Sequence, residues 1–159
     1  MENINYEMCK KCRGACCKEN GCIYLPGDFK SLDIEYLKKL LNRGNISISG
    51  QPFPIFNNEA WSYLLYLRAR NKNAKIIDLF TEGGPCKLLA KNGCKLKEEQ
   101  RPSLGLLIKP TTIGGPCEKL YTVDNALTWT DYNETLVQYC NNCNIDMCLS
   151  CSNEHKNHK

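Results

Sequence analysis

A chain of 159 residues with 42% hydrophobic and 24% charged composition can build one domain with its own core, and is too short for a second independent one. Its 21 basic and 17 acidic residues leave a net charge of only +4, too balanced to argue for a nucleic-acid surface. The start, Met1 to Glu7, has neither the basic nor the apolar segment of a secretory signal. No stretch approaches the roughly 18 apolar residues of a membrane span, so the expectation is a cytoplasmic protein without membrane contact.

In chain order, a first cysteine block (Cys9, Cys12, Cys16, Cys17, Cys22) is followed by a turn at Pro26-Gly27-Asp28. Leu32 to Arg43 reads as an amphipathic helix: Ile34, Leu37, Leu40 and Leu41 share one face, and Gly44 stands where a left-handed cap belongs. Ile46 to Ile55, interrupted by Gly50, Pro52 and Pro54, suits extended or turn structure. Residues 59–70 fit a helix or a strand equally, and Ile76 to Phe80 suits a brief strand or a helical turn. Gly83-Gly84-Pro85 and Gly114-Gly115-Pro116 are turns, each followed at once by a cysteine, Cys86 or Cys117. Such a turn can present a thiolate and neighbouring backbone N–H groups to a metal, and the alternative is an ordinary turn with a buried cysteine behind it. Asn92-Gly93 signals a hairpin that brings Cys86 and Cys94 together. Thr130 to Cys140 is a modest helix, and the polar tail from Ser152 to Lys159 holds His155 and His158, whose spacing suits a solvated tail better than a metal site.

Twelve cysteines in a chain without a leader point to metal ligation rather than disulfides, which do not persist in a reducing compartment. Two thiolates separated by two residues can bite one ion from a single turn, and three such units occur: Cys9/Cys12, Cys140/Cys143 and Cys148/Cys151. Cys16 and Cys17 are adjacent, so their side chains diverge and need not serve the same ion. Lys10, Lys11, Arg13 and Lys18 surround these thiols, and positive charge there is expected to lower their pKa. Cys22, Cys86, Cys94 and Cys117 are isolated in sequence, and some of them are expected to be small core residues.

Cys9-x2-Cys12-x3-Cys16-Cys17, then Gly83-Gly84-Pro85-Cys86-Lys87-Leu88-Leu89, Gly93-Cys94-Lys95-Leu96 and Arg101-Pro102 together resemble the YkgJ-type cysteine-cluster family, described as zinc- or iron-chelating domains. The resemblance covers roughly residues 9 to 110. It implies that Cys9, Cys12, Cys16, Cys17, Cys86 and Cys94 gather around metal. Two departures stand out: the first motif is one residue longer than the family's CxxCxxCC, and Ser103-Leu104-Gly105-Leu106 replaces a cysteine often found after the Arg-Pro pair. Cys117 is the candidate substitute.

The expected fold is a small, irregular, metal-stabilised α+β single domain with a few helices and short strands. Residues 1–128 form the cysteine-cluster part, and residues 129–159 a C-terminal helix and cysteine-rich tail packed on it. The expected ligands are Cys9, Cys12, Cys16, Cys17, Cys86, Cys94, Cys117, Cys140, Cys143, Cys148 and Cys151. The expected cofactor is zinc, with an iron–sulfur cluster as the alternative. With two histidines, both in the tail, no Ser/His/Asp constellation is arguable. The leading role is therefore structural, carrier or accessory, partnered by metal ions and an unidentified protein. The alternatives are an iron–sulfur enzyme or electron-transfer protein, and a zinc-structured binding module.

Overall fold

The computed structural model describes residues 11–54, 61–113, 117–119 and 123–143. They form a small mixed α+β domain built on one long hairpin. Strand β1 (Ile46–Pro54) pairs antiparallel with β2 (Trp61–Ala69), from Ile46 opposite Ala69 to Pro54 opposite Trp61. Both outer edges are extended by short bridges. Ile23 pairs with Arg68 on the β2 side, and Ile77 pairs in parallel with Ile48 on the β1 side. Pro52 and Pro54 fall beyond the Ile77 bridge, in a stretch of β1 that has no outer bridge among the described residues, so their missing N–H groups remove none there.

The two ambiguous segments are thus a strand and a bridge. Residues 64–69 are all buried, including Arg68, so β2 is covered on both faces and carries no alternation to separate it from a helix. The 76–78 segment joins the sheet because Ile48 N donates to Ile76 O and Asp78 N to Ile48 O, each at 2.8 Å.

Helix α1 (Ala15–Glu19) carries the adjacent cysteines, and α2 (Ile34–Asn42) is the helix expected from its apolar stripe. Asp33 caps α2 by accepting from Tyr36 N at 2.8 Å; Leu37, Leu40 and Leu41 face the core, and Gly44 has φ 84°. After the small β3 (Leu89–Ala90) and β4 (Gly93–Cys94) hairpin come α3 (Ser103–Leu106), the pair β5 (Ile108–Pro110) and β6 (Cys117–Lys119), and α4 (Val123–Leu127). Helix α5 (Asn133–Asn142) then packs on β2 and α2, so the C-terminal segment completes the same core. Among the described residues no helix is long and apolar enough to cross a membrane.

Trp129 closes one end of this core. It is fully buried, its indole N–H donates to Tyr24 O at 2.8 Å, and its ring meets Phe29 at a tilt and Tyr132 edge-on. Asp28 ties the Pro26 turn to α3: its carboxylate accepts from Leu25 N and Ser103 N, both at 2.9 Å, and from the Ser103 hydroxyl. Asp28→Ala strands two backbone donors, and is expected to lower stability by about 1–3 kcal/mol in a denaturant titration. A loss below about 0.5 kcal/mol would show that water replaces the carboxylate.

Candidate metal centre

Two left-handed residues in a row start the site. Arg13 (φ 55°) and Gly14 (φ 71°) reverse the chain between Cys12 and α1. A side chain at Gly14 would also strike the Leu89 methyl, at 2.6 Å. This reversal sets Cys12 on the same side as Cys16 and Cys17. The far end of α1 is tied to the Gly83-Gly84-Pro85 turn: Gly84 N donates to Glu19 O and Cys86 N to Cys17 O, each at 2.7 Å. These bonds satisfy terminal carbonyls of the helix. Two N–H groups at this turn thus cap α1 and bring Cys86 beside Cys17, which favours an ordinary turn with a buried cysteine behind it over one that offers its N–H groups to a metal. The equivalent turn at residues 114–116 lies outside the described residues.

Residues 22–24 are held against β2 by Tyr24 N to Leu67 O (2.9 Å) and Ala69 N to Cys22 O (2.8 Å), which fixes Cys22. The hairpin at Asn92-Gly93 forms as expected and sets Leu89 opposite Cys94. The result is a cavity of about 420 Å³ lined by six thiols, those of Cys12, Cys16, Cys17, Cys22, Cys94 and Cys117. Glu98, Arg101 and Gly105 contribute to its remaining wall. Cys86 is not on this wall: it is buried in the hydrophobic core, with its backbone N–H donating to Cys17 O.

Every described cysteine is a free thiol. The sulfurs of Cys16 and Cys17 are 4.0 Å apart. The Cys12 thiol donates to Thr112 O at 3.4 Å, and Cys94 Sγ accepts from Leu96 N at 3.4 Å. Cys16 is pushed up by its hydrogen bond to Cys17 and by burial. Cys17 is lowered by Cys16 but raised more by Cys22, burial and the neighbouring Cys86, and ends at about 12. Cys86 and Cys117 are raised by burial first. Lys11, Arg13 and Lys18 are exposed, and the leading causes of the Cys16 and Cys17 shifts are burial and the neighbouring thiols. The lowering expected from nearby cations does not prevail at these two thiols, and Lys10 lies outside the described residues. Arg68 is the cation that does reach a thiol: it is 4% exposed, donates to Gly21 O at 2.8 Å and favours the ionised form of Cys86.

The donor set is soft, sulfur-rich and gathered from four chain segments, which suits zinc or iron rather than magnesium or calcium. A zinc ion bound to four thiolates at about 2.3 Å has sulfur–sulfur edges of roughly 3.8 Å, close to the Cys16–Cys17 separation. Among the described residues, no three cysteine, histidine or carboxylate side chains stand in ligating geometry around one point. Ligation of a metal by these thiols requires them to lose their protons.

Of the expected ligands, Cys86 sits in the hydrophobic core beside α1, while Cys12, Cys16, Cys17, Cys94 and Cys117 line the cavity, and Cys22 joins them. Its sequence position gave no sign of this, because the pairing of residues 22–24 with β2 places it there. Cys140 and Cys143 belong elsewhere: Cys140 is fully buried in the hydrophobic core and pushed up to about 11 by that burial, and Cys143 is exposed at the end of α5. Cys9, Cys148, Cys151 and the two histidines lie outside the described residues.

The raised thiols have a consequence for the metal-free, reduced protein. An unfolded cysteine ionises near pH 8.5, while Cys17 and Cys140 hold their protons to about 12 and 11. Between these values the folded chain binds more protons than the unfolded one, so stability falls as pH rises. The melting temperature is expected to be level below pH 8 and to drop steadily from pH 9 to 11. A flat profile across that window would refute the assignment.

No protein-family model matches the chain, and no match was found among curated proteins or solved structures. The likeness to the cysteine-cluster family rests on the motifs quoted above.

Proposed function

We propose that this chain is a cysteine-ligated metal-binding protein that holds zinc, or alternatively iron, in a structural, carrier or accessory role. The observation that carries this reading is the convergence of six thiols from separate chain segments on one cavity. Thiols that merely fill a core scatter among aliphatic side chains, as Cys140 does. The motifs shared with the cysteine-cluster family support the same chemistry. A reducing compartment such as the cytosol keeps these thiols available as ligands.

Anaerobic purification with metal analysis, an absorption spectrum and an acid-labile sulfide assay tests the reading. Colourless protein with stoichiometric zinc supports the zinc form. Brown protein with labile sulfide supports an iron–sulfur cluster, and protein that takes up neither metal rejects both. Cys16→Ser with Cys94→Ser removes donors from two separate segments of the cavity wall and is expected to reduce metal content at least tenfold. Chelation of the parent is expected to lower its melting temperature, as it does in other thiolate-organised domains.

A further inference from the structure

Strand β2 buries Leu64, Leu65, Tyr66 and Leu67 in succession and then Arg68, which is 4% exposed. Its guanidinium is always charged. One guanidinium nitrogen donates to Gly21 O at 2.8 Å, but Nε has no hydrogen-bond partner, and among the described residues no carboxylate pairs with this side chain. Taking a charge out of water without an opposite one nearby is costly. A further aliphatic residue would continue the buried run at no such cost. The buried cation therefore calls for negative charge within its reach.

The Gly21 carbonyl that Arg68 holds is joined directly to Cys22, a residue of the cavity wall. Covalent reach through that one peptide puts the guanidinium within about 9 Å of the Cys22 sulfur. That sulfur would in turn lie 3.2 Å from a Cβ at Gly105, a second wall residue, so it stands at the cavity rather than behind it. The two positive charges of zinc against four thiolates leave an occupied site net negative by two. Given the metal-binding reading, on which this inference rests, we propose that Arg68 is the built-in counter-charge of the metal centre, a positioning residue that acts through the Gly21–Cys22 peptide without touching the ion. In the metal-free chain the buried cation has no opposite charge, and the occupied site supplies one. Arg101 also lines the wall, but it is partly exposed, and water screens its charge more than that of Arg68. Arg68 also stands opposite Ser47 within the β1–β2 hairpin and bridges to Ile23, so occupancy of the site is felt by the main core.

The test compares Arg68→Lys with Arg68→Gln in the full chain. Both keep an N–H donor for the Gly21 carbonyl, and only lysine keeps the charge. Zinc affinity is measured by competition against a chromogenic chelator, and metal-free stability by urea unfolding under reducing conditions. Arg68→Lys is expected to bind zinc within about threefold of the parent, and Arg68→Gln about tenfold or more weakly, the effect of one net charge at this separation. Without metal the order is expected to reverse, with Arg68→Gln at least as stable as Arg68→Lys. A merely structural arginine would not produce that crossing. Equal zinc affinity in the two variants overturns the counter-charge role while metal binding itself stands. A metal-free Arg68→Gln less stable than Arg68→Lys, or the failure of either variant to fold without metal, assigns Arg68 to the fold itself and overturns it as well. A parent that takes up no metal rejects this role and the metal-binding reading together.

Discussion

Trp129→Ala should unfold most of the population under conditions where the parent is fully folded. The side chain has no exposed surface, and its removal costs about 3–5 kcal/mol in transfer and cavity terms. The indole N–H also donates to Tyr24 O at 2.8 Å, so truncation leaves a buried carbonyl without that partner, for about 1–3 kcal/mol more. Against a typical total of 5–15 kcal/mol the loss is decisive. Trp129→Phe separates the two contributions: it keeps most of the packing on Phe29 and Tyr132 and gives up only the N–H, so it should cost roughly a third as much. Equilibrium urea unfolding followed by far-UV circular dichroism measures both. If Trp129→Ala stayed within 1 kcal/mol of the parent, the assigned core would be wrong. Because Tyr24 lies two residues after Cys22, a weakened Trp129 should also loosen the segment that positions this thiol.

What the sequence made legible follows from the range of the interactions involved. Helix α2 could be read because its cap, its stripe and its terminal glycine are all local. The β3–β4 hairpin could be read because Asn92-Gly93 encodes its own turn. The small α+β class was legible for the same reason. Strand β2 was not, since burial on both faces erases the period that separates strand from helix. In the site, CxxC-type spacing identified Cys12, and the adjacent Cys16 and Cys17 stood out. The participation of Cys22, and the arrival of Cys86 at Cys17, depend on backbone pairings across 47 and 69 residues that no local pattern contains. The sign of the thiol shifts was missed for a related reason. Sequence places Lys11, Arg13 and Lys18 beside the cysteines, whereas the fold points their charges outward and packs sulfur against sulfur. Arg68, the cation that does approach, comes from β2 and reads in sequence only as an interruption of an apolar run.

Gly21→Ala is expected to be the most damaging alanine substitution among the described glycines, and to act on the core and the thiols at once. A Cβ at this position would lie 1.9 Å from Ala69 O and 2.8 Å from Ala69 C, both backbone atoms of a buried strand. Neither atom can swing away as a side-chain tip could, so the chain itself must move by about 1 Å or more. That displacement breaks a connected set of bonds. Gly21 N donates to Asn71 Oδ1 at 2.7 Å, and Gly21 O accepts from buried Arg68 at 2.8 Å. The next residue's carbonyl accepts from Ala69 N, also at 2.8 Å. Asn71 itself is 2% exposed and extends the network to Asn20 and Thr81, so it links α1 to the Gly83 turn that delivers Cys86. Overpacking that cannot relax, added to stranded polar groups, is expected to cost more than about 3 kcal/mol. Gly27→Ala is the control: nothing lies within 4 Å of its added methyl, and its stability should stay within about 0.5 kcal/mol of the parent. Where Gly21→Ala still folds at low temperature, a competition titration against a chromogenic chelator should show weakened metal binding, because Cys17 and Cys22 flank the displaced residue on either side. Parent-like stability in Gly21→Ala would mean that the 22–24 segment does not lie against β2. Full metal affinity despite lost stability would mean that the thiols are placed independently of this network.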